Sequence, residues 1–257
     1  RAAQLAVNLE RLRWLPRDPG SRRIRVNIPE FKLEVVENGE TALSMRAVVG
    51  RVDRPTPVLS GVVTCMEVNP YWNIPQKIAR DDLLPHVQRD PGYLSQHNIR
   101  VYENWRPEAK ELEPHAIDWQ DIATLDLAYK LRQEPGPQNA LGRIKFMFAN
   151  PFSVYIHDTP NREKFTARNR SFSSGCVRVE NPLTLAAYLL RGGGAPGGDG
   201  LMAAVDSPDN ARLGLPRPVP VHLVYLTAWA DRDGVTHFRD DIYGYDAILS
   251  SALAERR

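Results

Sequence analysis

The chain has 257 residues with 33 basic and 31 acidic side chains dispersed along it, a formal net charge of +2 that points to no nucleic-acid partner. No apolar run reaches the ~18 residues of a membrane span, and no charged-then-apolar leader is present, so neither a span nor a signal peptide is expected within this segment. Two cysteines, Cys65 and Cys176, among 21 prolines and 17 glycines exclude a disulfide scaffold, and no Cys-x-x-Cys or Cys/His grouping suits zinc, so no metal and no cofactor are expected.

From Gln4 to Trp14, Leu5, Leu9 and Leu12 recur at helical spacing and predict a short amphipathic helix, which Pro16 and the Asp18-Pro19-Gly20 turn end. Strand-like runs follow at Ile24–Ile28, Phe31–Val36 and Thr41–Val49, with Glu37-Asn38-Gly39-Glu40 as a hairpin turn. Val62–Val68 reads as another strand, running into an aromatic loop from Asn69 to Pro75. Between Ile78 and Gly136 the sequence turns helix-compatible and irregular, broken by prolines at 85, 91, 107, 114 and 135. This stretch is read as an insertion of small helices and loops, a lid over a β scaffold or a plain buttress.

Strand signals return at Gly142–Phe148 and Phe152–His157. A polar stretch, Asp158 to Arg170, precedes the Cys176 segment. Asn181 as N-cap and Pro182 at the first helical position open a helix through Leu185, Tyr188 and Leu189, with Gly192 beyond its end. Gly192 to Gly200 reads as a flexible loop, Val219–Thr227 as a buried strand, and Val235–Phe238 as a strand after an Asp233-Gly234 turn.

The chemistry concentrates in Tyr155-Ile156-His157-Asp158-Thr159-Pro160 and Ser171-Phe172-Ser173-Ser174-Gly175-Cys176-Val177-Arg178-Val179-Glu180-Asn181. A thiol with an unperturbed pKa of about 8.5 needs a base to act as a nucleophile near neutral pH, and His157 is the histidine nearest in sequence. Gly175 lets the backbone approach a substrate closely, so amides around Ser174, Gly175 and Cys176 are candidates for an oxyanion hole. Arg178 carries a planar fork suited to a carboxylate. Packing alternatives stand beside each: a buried inert thiol, a satisfied strand-end histidine, and an Arg178–Glu180 ion pair. A Cys65–Cys176 bridge also stays open, although it would consume the candidate nucleophile.

These motifs, with their nineteen-residue His–Cys spacing, resemble the catalytic signature of the L,D-transpeptidases with a YkuD-type domain, specifically their larger periplasmic branch. Asn8 to Pro16, the loop Asn69 to Pro75, Tyr225-Leu226-Thr227-Ala228-Trp229 and Asp241-Ile242-Tyr243-Gly244 extend the resemblance over nearly the whole chain. It departs from many members at Ser174, where they carry a second histidine, which leaves His157 as the candidate base.

The resemblance implies a mainly β fold, a mixed-sheet sandwich or barrel with a helix after the nucleophile and a helical lid insertion. The chain, 1–257, would be one catalytic domain containing the 78–136 insertion. It implies Cys176 as nucleophile, His157 as base, and the main-chain carbonyl of Asp158 as the group orienting the imidazole. Backbone amides of Gly175 and Ser174 would form the oxyanion hole, and Arg178, Tyr155, Trp72, Ser173 and Asn181 would be substrate-binding residues, with Tyr155 and Trp72 lining the donor site. The implied reaction is attack on a peptidoglycan tetrapeptide stem with release of D-alanine, then transfer to a diaminopimelate side-chain amine to form a 3→3 crosslink. Resolution by water, making a carboxypeptidase, or by a protein amine, making an anchoring enzyme, remains open, as does a non-catalytic wall-binding module. Stem peptides are the implied partners and carbapenems the implied inhibitors; a monomer in the periplasm or cell envelope is expected, with the export signal outside this segment.

Overall fold

The computed structural model describes residues 1–120, 128–192 and 198–255. Helix α1 spans Ala2–Arg13, as the leucine spacing predicts, but its buried face is Val7, Asn8 and Arg11. Leu5, Leu9 and Leu12 stay exposed. Polar bonds set that rotation. Asn8 exchanges hydrogen bonds with Thr227, donating to Oγ1 at 2.7 Å and accepting from the amide at 2.9 Å, while Arg11 pairs with Asp246.

The expected meander follows as β1 (Arg22–Asn27), β2 (Lys32–Glu37) and β3 (Glu40–Gly50). Asn38 and Gly39 take φ of 50° and 82°, the left-handed pair that a two-residue hairpin needs. After β4 (Leu59–Val68) the insertion differs from its expected helical character. The aromatic loop before it forms β5 (Trp72–Asn73), α2 (Gln76–Ile78) leads into it, and it holds a π-helical turn at Ala79–Leu83, α3 (Leu84–Arg89) and α4 (Gly92–Gln96). Then come β6 (Ile99–Tyr102), β7 (Glu111–Leu112) and β8 (Lys130–Gln133), and the strands form a sheet in the order β5-β8-β6-β7.

This sheet recruits the aromatic loop, because Trp72 pairs with Gln133 and Asn73 with Arg132. Ile99, Val101 and Leu131 alternate onto its inner side and meet Leu83, Leu84, Val87, Leu94 and Trp119 in a core of their own. Part of the expected 78–136 insertion, residues 121–127, lies outside the described residues.

Downstream are β9 (Ile144–Phe148), β10 (Ile156–His157), β11 (Ser171–Ser173) and β12 (Val177–Val179). The strand expected from Phe152 shrinks to two residues because Asn150 captures the preceding turn. Its Oδ1 accepts the amides of Phe152 and Val154, and its Nδ2 donates to the carbonyls of Phe148 and Val154. Helix α5 (Pro182–Leu189) starts after Asn181 as expected, although the Asn181 side chain makes no capping bond.

Helix α6 (Gly198–Asp206) occupies the end of the stretch read as a flexible loop, whose residues 193–197 lie outside the described ones. β13 (Ala211–Val224) begins eight residues earlier than expected, β14 (Ala228–Ala230) and β15 (Thr236–Phe238) form a hairpin, and α7 (Tyr245–Ala254) was not foreseen. The main sheet runs β11-β3-β12-β10-β9-β4-β13-β1-β2, and β2 also pairs with β3, so the sheet closes on itself. Parallel pairings of β1 with β13 and β10 with β12 make it mixed. Ile24, Val26, Leu33, Met66, Phe146, Ile156 and Val177 fill its interior, with Leu185 and Leu189 of α5 packed in the same cluster.

Candidate active site

Two short strands carry the candidate chemistry. β10 and β12 pair in parallel with Ile156 opposite Val177 and His157 opposite Arg178. Alternation sends Ile156 and Val177 into the core and leaves Tyr155, His157 and Arg178 on the other face. A cleft of about 610 Å³ opens there. Cys176, His157, Tyr155, Arg178, Ser173 and Ser174 line it from the main sheet, and Trp72, Lys77 and Asp82 line it from the insertion's side.

The turn that carries Cys176 is tightly bonded. Ser173 Oγ donates to the Cys176 carbonyl at 2.5 Å and accepts the Gly175 amide at 3.1 Å. The Gly175 N–H, expected as an oxyanion-hole donor, is therefore engaged within the turn. Among the described residues no protein acceptor takes the amides of Ser174 and Cys176. Gly175 has a φ of 114°, a conformation L side chains rarely adopt.

Fully buried Thr56 braces the turn from the far side, donating to the Gly175 carbonyl and accepting the Gly50 amide, both at 2.8 Å. Tyr243 Oη in turn donates to the Gly50 carbonyl at 2.5 Å. Thr56 is not signalled by the sequence, because a lone Thr in a Pro-Thr-Pro loop carries no motif, and Tyr243 lies in the Asp241–Gly244 segment of the resemblance without any sign of this contact.

His157 is buried, and its Nδ1 lies 2.5 Å from the Asp158 carbonyl oxygen. A carbonyl only accepts, so Nδ1 carries the proton and Nε2 keeps its lone pair. Burial, then the Arg178 guanidinium and the Lys145 ammonium, lower the imidazole pKa to about 3. The Asp158 carboxylate faces elsewhere: it accepts the Arg143 amide at 2.8 Å and sits 3.1 Å from Arg162.

Cys176 is half-buried and free, and so is buried Cys65, so no disulfide joins them. Burial raises the thiol pKa, opposed by the Tyr155 main-chain amide, Arg178, Lys145 and the Tyr155 side chain. Tyr155's phenol is raised well above its ordinary value by burial first and by the neighbouring Cys176 second. Burial thus favours the uncharged form of both the thiol and the imidazole, which line the same cleft.

Arg178 does not pair with Glu180, which bonds Arg46 instead, with Arg46 Nε 3.0 Å from its Oε1. The Arg178 Nε is buried without a hydrogen-bond partner. Ser174 Oγ accepts from Arg54 Nη1 at 3.1 Å, and the same guanidinium spans Asp81 and Asp82 of the insertion. Asn181, expected as a substrate-binding residue, is exposed just before α5 and does not line the cleft.

The family model for the L,D-transpeptidase catalytic domain, YkuD, matches residues 21–203. A Haemophilus influenzae protein with a provisional L,D-transpeptidase designation is 37% identical over 249 residues, covering 97% of this chain and 49% of that protein. The chain spans about half the length of this curated relative. Among solved structures, an L,D-transpeptidase from Mycobacterium smegmatis aligns at a TM-score of 0.36 and 14% identity, over 79% of this chain and 58% of that one. The catalytic domain of an E. faecium L,D-transpeptidase acylated by ertapenem aligns at 0.34 and 11%, over 79% and 96%.

Proposed function

Since the chain belongs to the L,D-transpeptidase catalytic-domain family, we propose that it is a cysteine acyltransferase of peptidoglycan that joins stem peptides by 3→3 crosslinks. The observation that carries this reading is the meeting on one cleft of Cys176, His157 and Arg178, whose buried Nε has no hydrogen-bond partner among the described residues.

In the proposed reaction the Cys176 sulfur attacks the carbonyl of the third stem residue while His157 Nε2 takes the thiol proton. The C–N bond to the terminal D-alanine breaks, the imidazolium returns its proton to the departing amine, and a thioester remains. An acceptor amine then attacks the thioester while His157 takes its proton, the C–S bond breaks as the new C–N bond forms, and the imidazolium returns the proton to the departing thiolate. The free amides of Ser174 and Cys176 are the donors available to the oxyanion, and Arg178 is suited to a stem carboxylate. Tyr155 and Trp72 wall the donor side, and the insertion, which faces Cys176 across the cleft, acts as the acceptor-side lid. The site of action is the periplasm or cell envelope.

The test is intact-mass spectrometry after incubation with a carbapenem, followed by a muropeptide assay. One adduct per chain, absent in Cys176→Ala and slowed in His157→Ala, together with 3→3 dimers and released D-alanine, is expected. An adduct without dimers moves the reading to hydrolysis or protein anchoring. Retained cellular function in Cys176→Ala points to a binding module.

A further inference from the structure

A row of four polar side chains crosses the sheet at the level of the base. Glu67 of β4 stands opposite Lys145 of β9, Lys145 opposite His157 of β10, and His157 opposite Arg178 of β12. Directly opposed residues on neighbouring strands share a face, so the row reads carboxylate, ammonium, imidazole, guanidinium. The Lys145 side chain is only 14% exposed. Its Nζ lies 4.5 Å from the Tyr155 ring centroid and 3.4 Å from Glu67 Oε2. The ring face and one carboxylate replace the water this ammonium has lost. Lys145 does not line the cleft, so it is no substrate contact.

We propose that Lys145 is a positioning residue for acyl transfer, whose ammonium keeps the His157 imidazole unprotonated and seats Tyr155 against the Cys176 thiol. The purpose rests on the acyl-transfer reading, but the physical effect is measurable without turnover. An imidazolium at this position would lie between two cations one strand away on either side, and like charges disfavour it. The groups around the ring are Tyr155, which precedes β10, Lys145 on β9, Arg178 on β12 and the main-chain carbonyls of Asp158 and Leu141, and Cys176 lines the same cleft. The one carboxylate in the row, Glu67, lies behind Lys145; across the cleft Lys77 and Asp82 oppose each other in sign.

Tyr155 carries the second effect. Its ring meets His157 edge-on at 5.5 Å while Lys145 occupies its face. The same tyrosine lowers the thiol pKa through its amide and side chain. A lysine that fixes this ring therefore fixes a contact of the nucleophile, and its charge acts in one direction on both partners, disfavouring imidazolium and favouring thiolate.

The test is an NMR titration of the His157 ring, alongside the pH dependence of Cys176 alkylation by iodoacetamide, in wild type, Lys145→Met, Lys145→Gln, Lys145→Arg and Glu67→Gln. Removing the cation is expected to raise the His157 midpoint by about one unit or more and to move alkylation to higher pH. Lys145→Arg is expected to stay near wild type. Glu67→Gln, which keeps the lysine and deletes its counter-charge, is expected to move alkylation to lower pH. Midpoints unmoved in Glu67→Gln and in whichever neutral variant folds would overturn the proposal, and a chain that forms no acyl-enzyme yet shows the shifts would retain it while losing the transferase reading.

Discussion

Arg178 stands in register with His157 across the parallel pair of β10 and β12, one strand from the imidazole it helps keep neutral. Strand spacing fixes that proximity near 4.8 Å between backbones, so the side chains cannot avoid each other's field. Replacing Arg178 with Gln removes a cation, imidazolium becomes less unfavourable, and the His157 pKa rises from about 3 toward its ordinary 6.5. The acid limb of kcat/KM should move to higher pH. Loss of a charge-assisted bond to a stem carboxylate should also cost about tenfold to a hundredfold in kcat/KM, chiefly through KM. A pH–rate profile with a tetrapeptide donor checks both, and Arg178→Lys should restore the acid limb but not the KM.

The same buried histidine makes the fold sensitive to acid. Its folded pKa is depressed, so the unfolded chain binds the extra proton between about pH 6.5 and about pH 3. The histidine's unfavourable contribution is absent above pH 6.5 and grows as pH falls through that window, to on the order of 4 kcal/mol at its lower end. Urea unfolding of His157→Gln should show a flatter loss of stability over this window than wild type. Equal slopes in the two proteins would mean that His157 titrates normally.

The motif residues were legible in sequence because their chemistry is local: Cys176 follows a glycine at positive φ, and His157 ends a strand beside the carbonyl that orients it. The closed sheet follows the resemblance, and the Asn38-Gly39 turn announces its own hairpin. Other features depend on partners far away in sequence. Leu5, Leu9 and Leu12 have helical spacing, yet Asn8 and Arg11 face inward because Thr227 and Asp246 receive them. The insertion's strands are two to four residues long and broken by prolines, so no window shows their alternation. Gly175 looked free to receive an oxyanion, and only the folded turn reveals Ser173 Oγ on its amide. Lys145 inside Ile144-Lys145-Phe146-Met147-Phe148 and Glu67 inside Cys65-Met66-Glu67-Val68 are charges within apolar strands, but only the strand register shows that they join one row with His157 and Arg178.

Gly142 has a φ of +61°, and a Cβ there would lie 2.4 Å from the Asp158 carboxyl carbon. The Asp158 carboxylate holds the Arg143 amide, while the next group along, its carbonyl, holds His157. Gly142→Ala should therefore combine left-handed strain with a clash against a buried side chain, lowering stability by about 1–3 kcal/mol. Because the displaced residue carries the orienting carbonyl, carbapenem acylation should slow more than the thermal shift alone explains. Chemical denaturation and acylation kinetics on the same variant separate the two.

Thr56→Val keeps the shape of a fully buried side chain and deletes its hydroxyl. The Gly50 amide and the Gly175 carbonyl would each lose a 2.8 Å partner in a place water does not reach. Each unsatisfied buried group costs about 1–3 kcal/mol. Thr56→Ser, which retains the oxygen, should sit close to wild type, so the difference between the two variants isolates the hydroxyl.

Arg54 couples the insertion to the nucleophile turn through a single guanidinium, 8% exposed, that reaches Ser174 Oγ, Asp81 and Asp82. If that link sets how the insertion stands over Cys176, its two ends should not act independently. Arg54→Leu and Asp82→Asn, alone and combined, form a cycle in which residues of one ionic network are expected to couple by at least about 1 kcal/mol in unfolding free energy. Repeating the cycle on the acylation rate distinguishes a structural strut from a functional link. A strut gives coupling in stability alone, whereas a link that positions the lid also gives coupling in the rate with which Cys176 is acylated. Additive effects in both measurements would remove Arg54 from any role in holding the insertion over the cleft.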